Sequence, residues 1–249
     1  MECIENKGDW HYTIKLQVRL ECEKRDNYME SCLFIHGFTG GEHEISPLSQ
    51  FMEQHNYRSR TFTLKGHGGS RNDLLHSDRH DWQQSAEDEL TELLKTDEGV
   101  HLIGFSTGAL IASHLSVRYK PWIKSLTLLS TPVFPLNPVE ILKTLASFSM
   151  LKTYINKFSS TPPRATREFQ RLVRESFSIY PHIETPTLIV QGKRDHLVKT
   201  RSADYLQHTI PTTQKQVIMV DNSGHMVCHC EDKDRIMNEV LHFIQSVGS

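Results

Sequence analysis

The sequence has no long hydrophobic run. None of its apolar stretches approaches the roughly 18 to 20 residues that a bilayer-spanning helix needs. The opening MECIENKGDW has no basic flank leading into an apolar stretch, as an export signal would. A cytoplasmic protein without stable membrane insertion is therefore expected. Cysteine is scarce and irregular. Cys3, Cys22, Cys32, Cys228 and Cys230 form an odd set of five, which argues against a disulfide framework and suits a reducing compartment. An excess of either charge is missing too: 28 lysines and arginines face 30 aspartates and glutamates, for a net charge of −2. No basic stripe of the kind that nucleic acid requires results. Neither an internal repeat nor a low-complexity run interrupts the chain, and its 249 residues suit one core domain that buries most of its apolar surface.

What is present is an alternation of short apolar runs and amphipathic stretches. Ile14, Leu16, Val18 and Leu20 lie two apart between Tyr12 and Glu21, which predicts a half-exposed, antiparallel strand. Ser31 to His36 is apolar throughout its middle and runs into Gly37, as a strand buried on both faces does. Beyond it the pattern predicts a helix near Pro47–Asn56, a strand near Arg58–Leu64, and a helix near Trp82–Lys95 with Asp81 as its N-cap. A strand at Val100–Phe105, a helix near Thr107–Arg118 and a strand at Ser125–Ser130 follow. Such βαβ succession implies an α/β fold with a mostly parallel central sheet and helices on both faces. Between residues 132 and 185 the rhythm breaks in a proline-rich stretch with helical pieces at Pro138–Phe148 and Arg164–Ser176. It reads as a small cap inserted into a core formed by residues 1–131 and 186–249. The alternation resumes with strands at Thr187–Gln191 and Lys215–Val220 and helices near Arg201–His208 and Lys233–Val247.

Gly104-Phe105-Ser106-Thr107-Gly108 fits G-x-S-x-G at the end of a buried strand and the start of a helix, the context in which that motif holds a nucleophile. Taken alone it is equally a glycine-flanked turn. A serine hydroxyl is a weak nucleophile at neutral pH and needs a base, and the base needs a group that fixes its tautomer. Among 15 histidines, His225 follows the last strand through Asp221-Asn222-Ser223-Gly224, and Asp195 follows Thr187–Gln191 through Gly192-Lys193-Arg194. Each alone is an ordinary loop residue. Together, Ser106, Asp195 and His225 occupy loops at the carboxyl ends of three strands, the rim where open α/β sheets bind ligands. A fourth loop, His36-Gly37-Phe38-Thr39-Gly40-Gly41, has the spacing of neither a P-loop nor a dinucleotide-binding turn. The backbone N–H groups of Phe38 and Thr107 are the candidates for an oxyanion hole.

These segments, with Lys65-Gly66-His67-Gly68 and Gln191-Gly192-Lys193-Arg194-Asp195, resemble the bacterial carboxylesterases and monoacylglycerol lipases of the α/β-hydrolase superfamily. The resemblance runs from about Ser31 to the C-terminus. It implies a small-molecule ester as partner, a Ser-His-Asp triad working through an acyl-enzyme, a small cap over the acyl pocket, and no metal or organic cofactor. Two departures are Thr107, where a bulky apolar residue is frequent, and the polar pair Cys228 and His229 after the histidine loop.

Other features carry less. His67 is expected to brace its loop, since His225 already fills the base position. His225, Cys228, His229 and Cys230 include the ligand types zinc favours, but Cys228 and Cys230 point apart if helical and no second pair has finger-like spacing, so no metal is expected. Phe134, Leu136, Ile141, Leu142, Leu145 and other apolar residues of the inserted stretch suit an acyl pocket or plain packing equally. A thioesterase or carbon-carbon bond hydrolase would use the same triad. A non-catalytic ligand-binding protein would keep the same fold. The expected assembly is a monomer or homodimer.

Overall fold

The computed structural model describes residues 30–135 and 161–247. The predicted strand at Tyr12–Glu21 and the predicted helix at Pro138–Phe148 lie outside these residues. Six strands form one sheet: β1 (Ser31–Ile35), β2 (Arg58–Thr61), β3 (Val100–Phe105), β4 (Ile123–Leu129), β5 (Thr187–Gly192) and β6 (Lys215–Val220). Their spatial order is β2-β1-β3-β4-β5-β6, and every neighbouring pair is parallel.

Strands β1, β3, β4 and β5 alternate between two apolar layers and are buried on both faces, which is why they read as mostly apolar runs, whereas the edge strand β2, Arg-Ser-Arg-Thr, is half exposed. Leu33 and Ile35 of β1 and Leu102 of β3 face one side with α3 (Arg79–Leu93), α4 (Thr107–Arg118), α5 (Pro163–Ser176) and α6 (Arg201–Thr209). Cys32, Phe34, Ile103, Leu188 and Val190 face the other with α1 (Ser46–Gln54) and α7 (Lys233–Val247). Burying each such side chain contributes about 1.5–3 kcal/mol. A short helix, α2 (Arg71–Leu75), stands before α3. Among the described residues no helix is long and apolar enough to cross a membrane.

Several boundaries differ from expectation, and three of them have a visible cause. The N-cap of α3 is Asp78, whose side chain accepts the N–H groups of His80 and Asp81; Asp81 is the third helical residue and returns a bond to the Asp78 amide. The helix thus gains a reciprocal capping box that starts it at Arg79. Strand β2 stops at Thr61 rather than Leu64, because its last partner across the ladder is Phe34 and β1 ends one residue later. Strand β4 stops at Leu129, where Ser130 takes a left-handed φ of 49°.

The order places β2 to one side of β1 and β3 to the other. The carboxyl ends of β1 and β3 therefore flank the point where the chain changes direction across the sheet, which leaves a crevice there. Between β4 and β5, adjacent in the sheet, the chain leaves from the same rim and returns only after α5 and a short turn at Tyr180–His182.

Candidate active site

Strand β3 passes into α4 through a single residue, Ser106, with φ 52° and ψ −115°. That conformation costs on the order of 1–3 kcal/mol in a non-glycine residue. It is held by the Ser106 N–H, which donates to the Leu129 carbonyl at 2.8 Å, and by the packing of α4 against β1. The flanking glycines are required by space. A Cβ on Gly104 would lie 2.4 Å from the Gly108 carbonyl oxygen, and one on Gly108 would lie 2.0 Å from the Ile35 carbonyl oxygen.

The structure brings Asp195 and His225 to this serine. His225 Nε2 lies 3.2 Å from Ser106 Oγ, and its Nδ1–H donates to Asp195 Oδ2 at 2.8 Å. The remaining acceptor capacity of Asp195 is filled: Oδ1 receives the amides of Leu197 (2.8 Å) and Val198 (2.9 Å), and Oδ2 also receives Gln191 Nε2 at 3.2 Å. Burial pushes this carboxyl up, but the His225 charge and hydrogen bond with the two amides outweigh it and hold it below the usual aspartate value. An ionised, fully bonded aspartate fixes the histidine with Nδ1 protonated and Nε2 free to accept the serine proton. The Phe105 and His225 ring centroids are 5.0 Å apart, so the residue before the serine also limits the imidazole.

Ser130 and Gln191 were not legible as site residues. Ser130 Oγ donates to the His225 carbonyl at 2.9 Å, anchoring the histidine loop to the end of β4. Gln191 Nε2 donates to Asp195 and to the Val198 carbonyl at 3.0 Å. Ser130 belongs to no motif, and Gln191 opens the segment Gln191-Gly192-Lys193-Arg194-Asp195 without its side chain's role being visible there; the signal in both is a polar residue at a strand's end beside the chemistry.

The loop after β1 lies on the other side of Ser106. Among the described residues no acceptor takes the N–H of Phe38 or of Thr107; the latter is the first amide of α4, one of those a helix leaves without a partner. The Phe38 ring is fixed by stacking on Phe169 of α5 (centroids 5.2 Å, 16° between planes) and by contact with Trp82 (5.5 Å). His36 is wholly buried; its Nδ1–H donates to the Gly37 carbonyl (2.8 Å) and its Nε2 accepts the Leu64 N–H (3.0 Å). Burial pulls its pKa to about 4. His67 packs edge-on against His36, Phe38 and Trp82, and burial followed by the His36 charge lowers it to about 3. It braces the loop.

Of the residues with zinc-favouring chemistry, Cys228 is buried in a 3-10 turn at Val227–His229. Its thiol is pushed up to about 12, chiefly by burial.

The model of the alpha/beta hydrolase family matches residues 32–238. A carboxylesterase of Bacillus subtilis (strain 168) is 23% identical over 232 residues, covering 88% of this chain and 93% of its own. A thermostable monoacylglycerol lipase of Bacillus sp. (strain H-257) is 25% identical over 229 residues, covering 85% and 88%. Among solved structures, a metagenome-derived lipolytic enzyme superposes with a TM-score of 0.77 at 19% identity, covering 88% of this chain and 95% of its own.

Proposed function

Because the chain belongs to the alpha/beta hydrolase family, we propose that it is a serine hydrolase of carboxylic esters, acting on short- to medium-chain acyl esters or monoacylglycerols. The observation that carries this reading is the relay in which His225 reaches Ser106 Oγ with one nitrogen and Asp195 with the other. In the first half-reaction Ser106 Oγ attacks the ester carbonyl while its proton passes to His225 Nε2. The oxyanion is received by the N–H groups of Phe38 and Thr107. Collapse expels the alcohol, which takes the proton from His225. Water then attacks the acyl-enzyme by the same route, giving its proton to His225 and releasing the acid and Ser106. Each proton borrowed is returned, and the chemistry draws on no metal or organic cofactor.

The ester class is supported by the relatives named carboxylesterase and monoacylglycerol lipase. Residues 132–185 are taken as the insertion that covers the acyl pocket. In support, the segment leaves the sheet on the rim that carries Ser106, and its helix α5 supplies the Phe169 ring beneath Phe38. Ser106→Ala is expected to lower nitrophenyl-ester turnover by about 10⁴-fold or more and to abolish labelling by a fluorophosphonate. A variant that kept wild-type turnover would remove Ser106 from the mechanism. Product identification across acyl esters, monoacylglycerols, acyl thioesters and carbon-carbon substrates separates the ester reading from chemistries that share the relay. Turnover is also expected to fall on acidification, because only a neutral imidazole accepts the serine proton.

A further inference from the structure

The loop after β1 holds a carboxylate that the reaction scheme does not use. Glu44 is 9% exposed and folds back so that its Oε2 accepts the Gly37 N–H at 2.8 Å, the amide immediately before that of Phe38. The loop is wrapped around this carboxylate: a Cβ on Gly40 would lie 2.1 Å from Oε2 and from Cδ of Glu44. Between them, Thr39 takes a left-handed φ of 58°, which a β-branched residue adopts only when its surroundings impose it.

The same loop is held from the histidine side. His229, four residues beyond His225, donates through Nε2 to the carbonyls of His43 (2.9 Å) and Glu44 (3.2 Å). Phe105 lies between the two loops, 3.2 Å from where a Gly37 Cβ would be and in contact with the His225 ring. The Glu44 charge also reaches Cys228, where it adds to the effects of burial and of Cys230 on that thiol. His229, one of the polar pair that stands out after the histidine loop, thus belongs to a contact with the loop after β1.

We propose that Glu44 and His229 are positioning residues that tie the Phe38 amide to the His225 loop, so that oxyanion donor and general base keep a fixed spacing around Ser106. The proposal rests on the serine-hydrolase reading. An oxyanion donor stabilises the transition state only when it is oriented before charge develops, and displacements of about 1 Å cost on the order of 100-fold in rate. Without the carboxylate, the Gly37 amide has no partner to hold it and the strained Thr39 turn is free to relax.

The test compares the wild-type protein with Glu44→Ala, Glu44→Gln, His229→Ala and Ser106→Ala. Two quantities are measured: kcat and KM on a nitrophenyl ester, and affinity for a trifluoromethyl ketone, whose serine adduct places an oxyanion in the same hole. Glu44→Ala is expected to lower kcat and inhibitor affinity in parallel, by about 10- to 100-fold, with KM within about twofold. Glu44→Gln, which keeps a carbonyl acceptor for the Gly37 amide, should restore both to within about threefold. His229→Ala should lower both by about 3- to 10-fold. A merely structural role would change thermal stability without moving kcat and inhibitor affinity together. Wild-type kcat and inhibitor affinity in Glu44→Ala, with Ser106→Ala inactive, overturn the proposal alone. So does a Glu44→Gln variant as impaired as Glu44→Ala. An active Ser106→Ala instead removes the underlying reading. If Glu44→Ala does not fold, His229→Ala, at an exposed position, carries the same comparison with the same two outcomes.

Discussion

Ser106 sits at a φ of 52° because the β3–α4 turn has no room for another path. The same crowding gives the hydroxyl its exposure towards His225. Asp195 shows the opposite strategy: a buried carboxylate kept ionised by four donors. Asp195→Asn preserves the volume but places an amide against Nδ1, which favours the wrong tautomer. We expect kcat to fall by about 10⁴-fold with little change in thermal midpoint, as steady-state kinetics and a melting curve would check. A fall of less than tenfold would mean that the aspartate does not orient the histidine. Ser106, Asp195 and His225 were legible because each ends a motif or loop at a strand's carboxyl end. Ser130 and Gln191 were not, because their roles are made by contacts with residues distant in the chain or by a side chain turning back on its own loop.

At the scale of elements, two packing features decide whether the site is assembled. Helix α4 crosses β1 at Gly108, where a methyl group would overlap the Ile35 carbonyl. Gly108→Ala is expected to destabilise the protein by about 1–3 kcal/mol or more, read as a lowered urea midpoint, and to reduce turnover in the folded fraction by shifting Thr107 and Ser106. Helix α5 is fastened to α3 by Arg79, which binds Glu168 (2.7 Å) and Glu175 (2.8 Å). The Glu168 side chain is 6% exposed and also meets Arg171 at 2.5 Å. Arg79→Ala leaves that buried carboxylate with Arg171 alone and is expected to cost about 1–3 kcal/mol. Because Phe169 of α5 stacks on Phe38, the variant should also lower kcat, whereas an unchanged melting temperature would show that the contact contributes nothing. Neither feature was visible in advance. G-x-S-x-G announces a tight turn but not what α4 presses against, and an arginine 89 positions from its glutamate leaves no local pattern.

Across the whole molecule, the protein carries buried neutral histidines that make acid its weak direction. His36, His67 and His114 are lowered by burial to about 4, 3 and 4, below the value of about 6.5 in an unfolded chain. The unfolded state therefore binds protons first as pH falls. Their stabilising contribution is complete above about pH 6.5 and is lost progressively towards about 4 for His36 and His114 and about 3 for His67. Glu30 adds a second step. The His101 hydrogen bond, helped by Lys124 against a burial penalty, holds it at about 2, so its contribution is full above about 4.5 and is lost as pH falls towards 2. Urea midpoints should decline from pH 7.5 to 5 and more steeply below 4.5. A flat profile from 7.5 to 5 would mean that these histidines are not buried in the folded protein.

Composition and periodicity by themselves determined the parallel sheet, since apolar runs of five to seven residues separated by amphipathic stretches have one economical packing, with helices on both faces. Chain order alone also placed Ser106, Asp195 and His225 on one rim, because parallel strands all end on the same side. Only the tertiary structure decided the strand order that opens a crevice between β1 and β3, the seat of Gly108 on the Ile35 carbonyl and the tie of His229 to the carbonyls of His43 and Glu44. Those depend on which distant segments touch, and contact between distant segments is set by the packing of side chains on both faces of the sheet, which no local pattern encodes. Ser106 owes its candidacy as nucleophile to five consecutive residues, and its geometry to Leu129, Ile35 and His225.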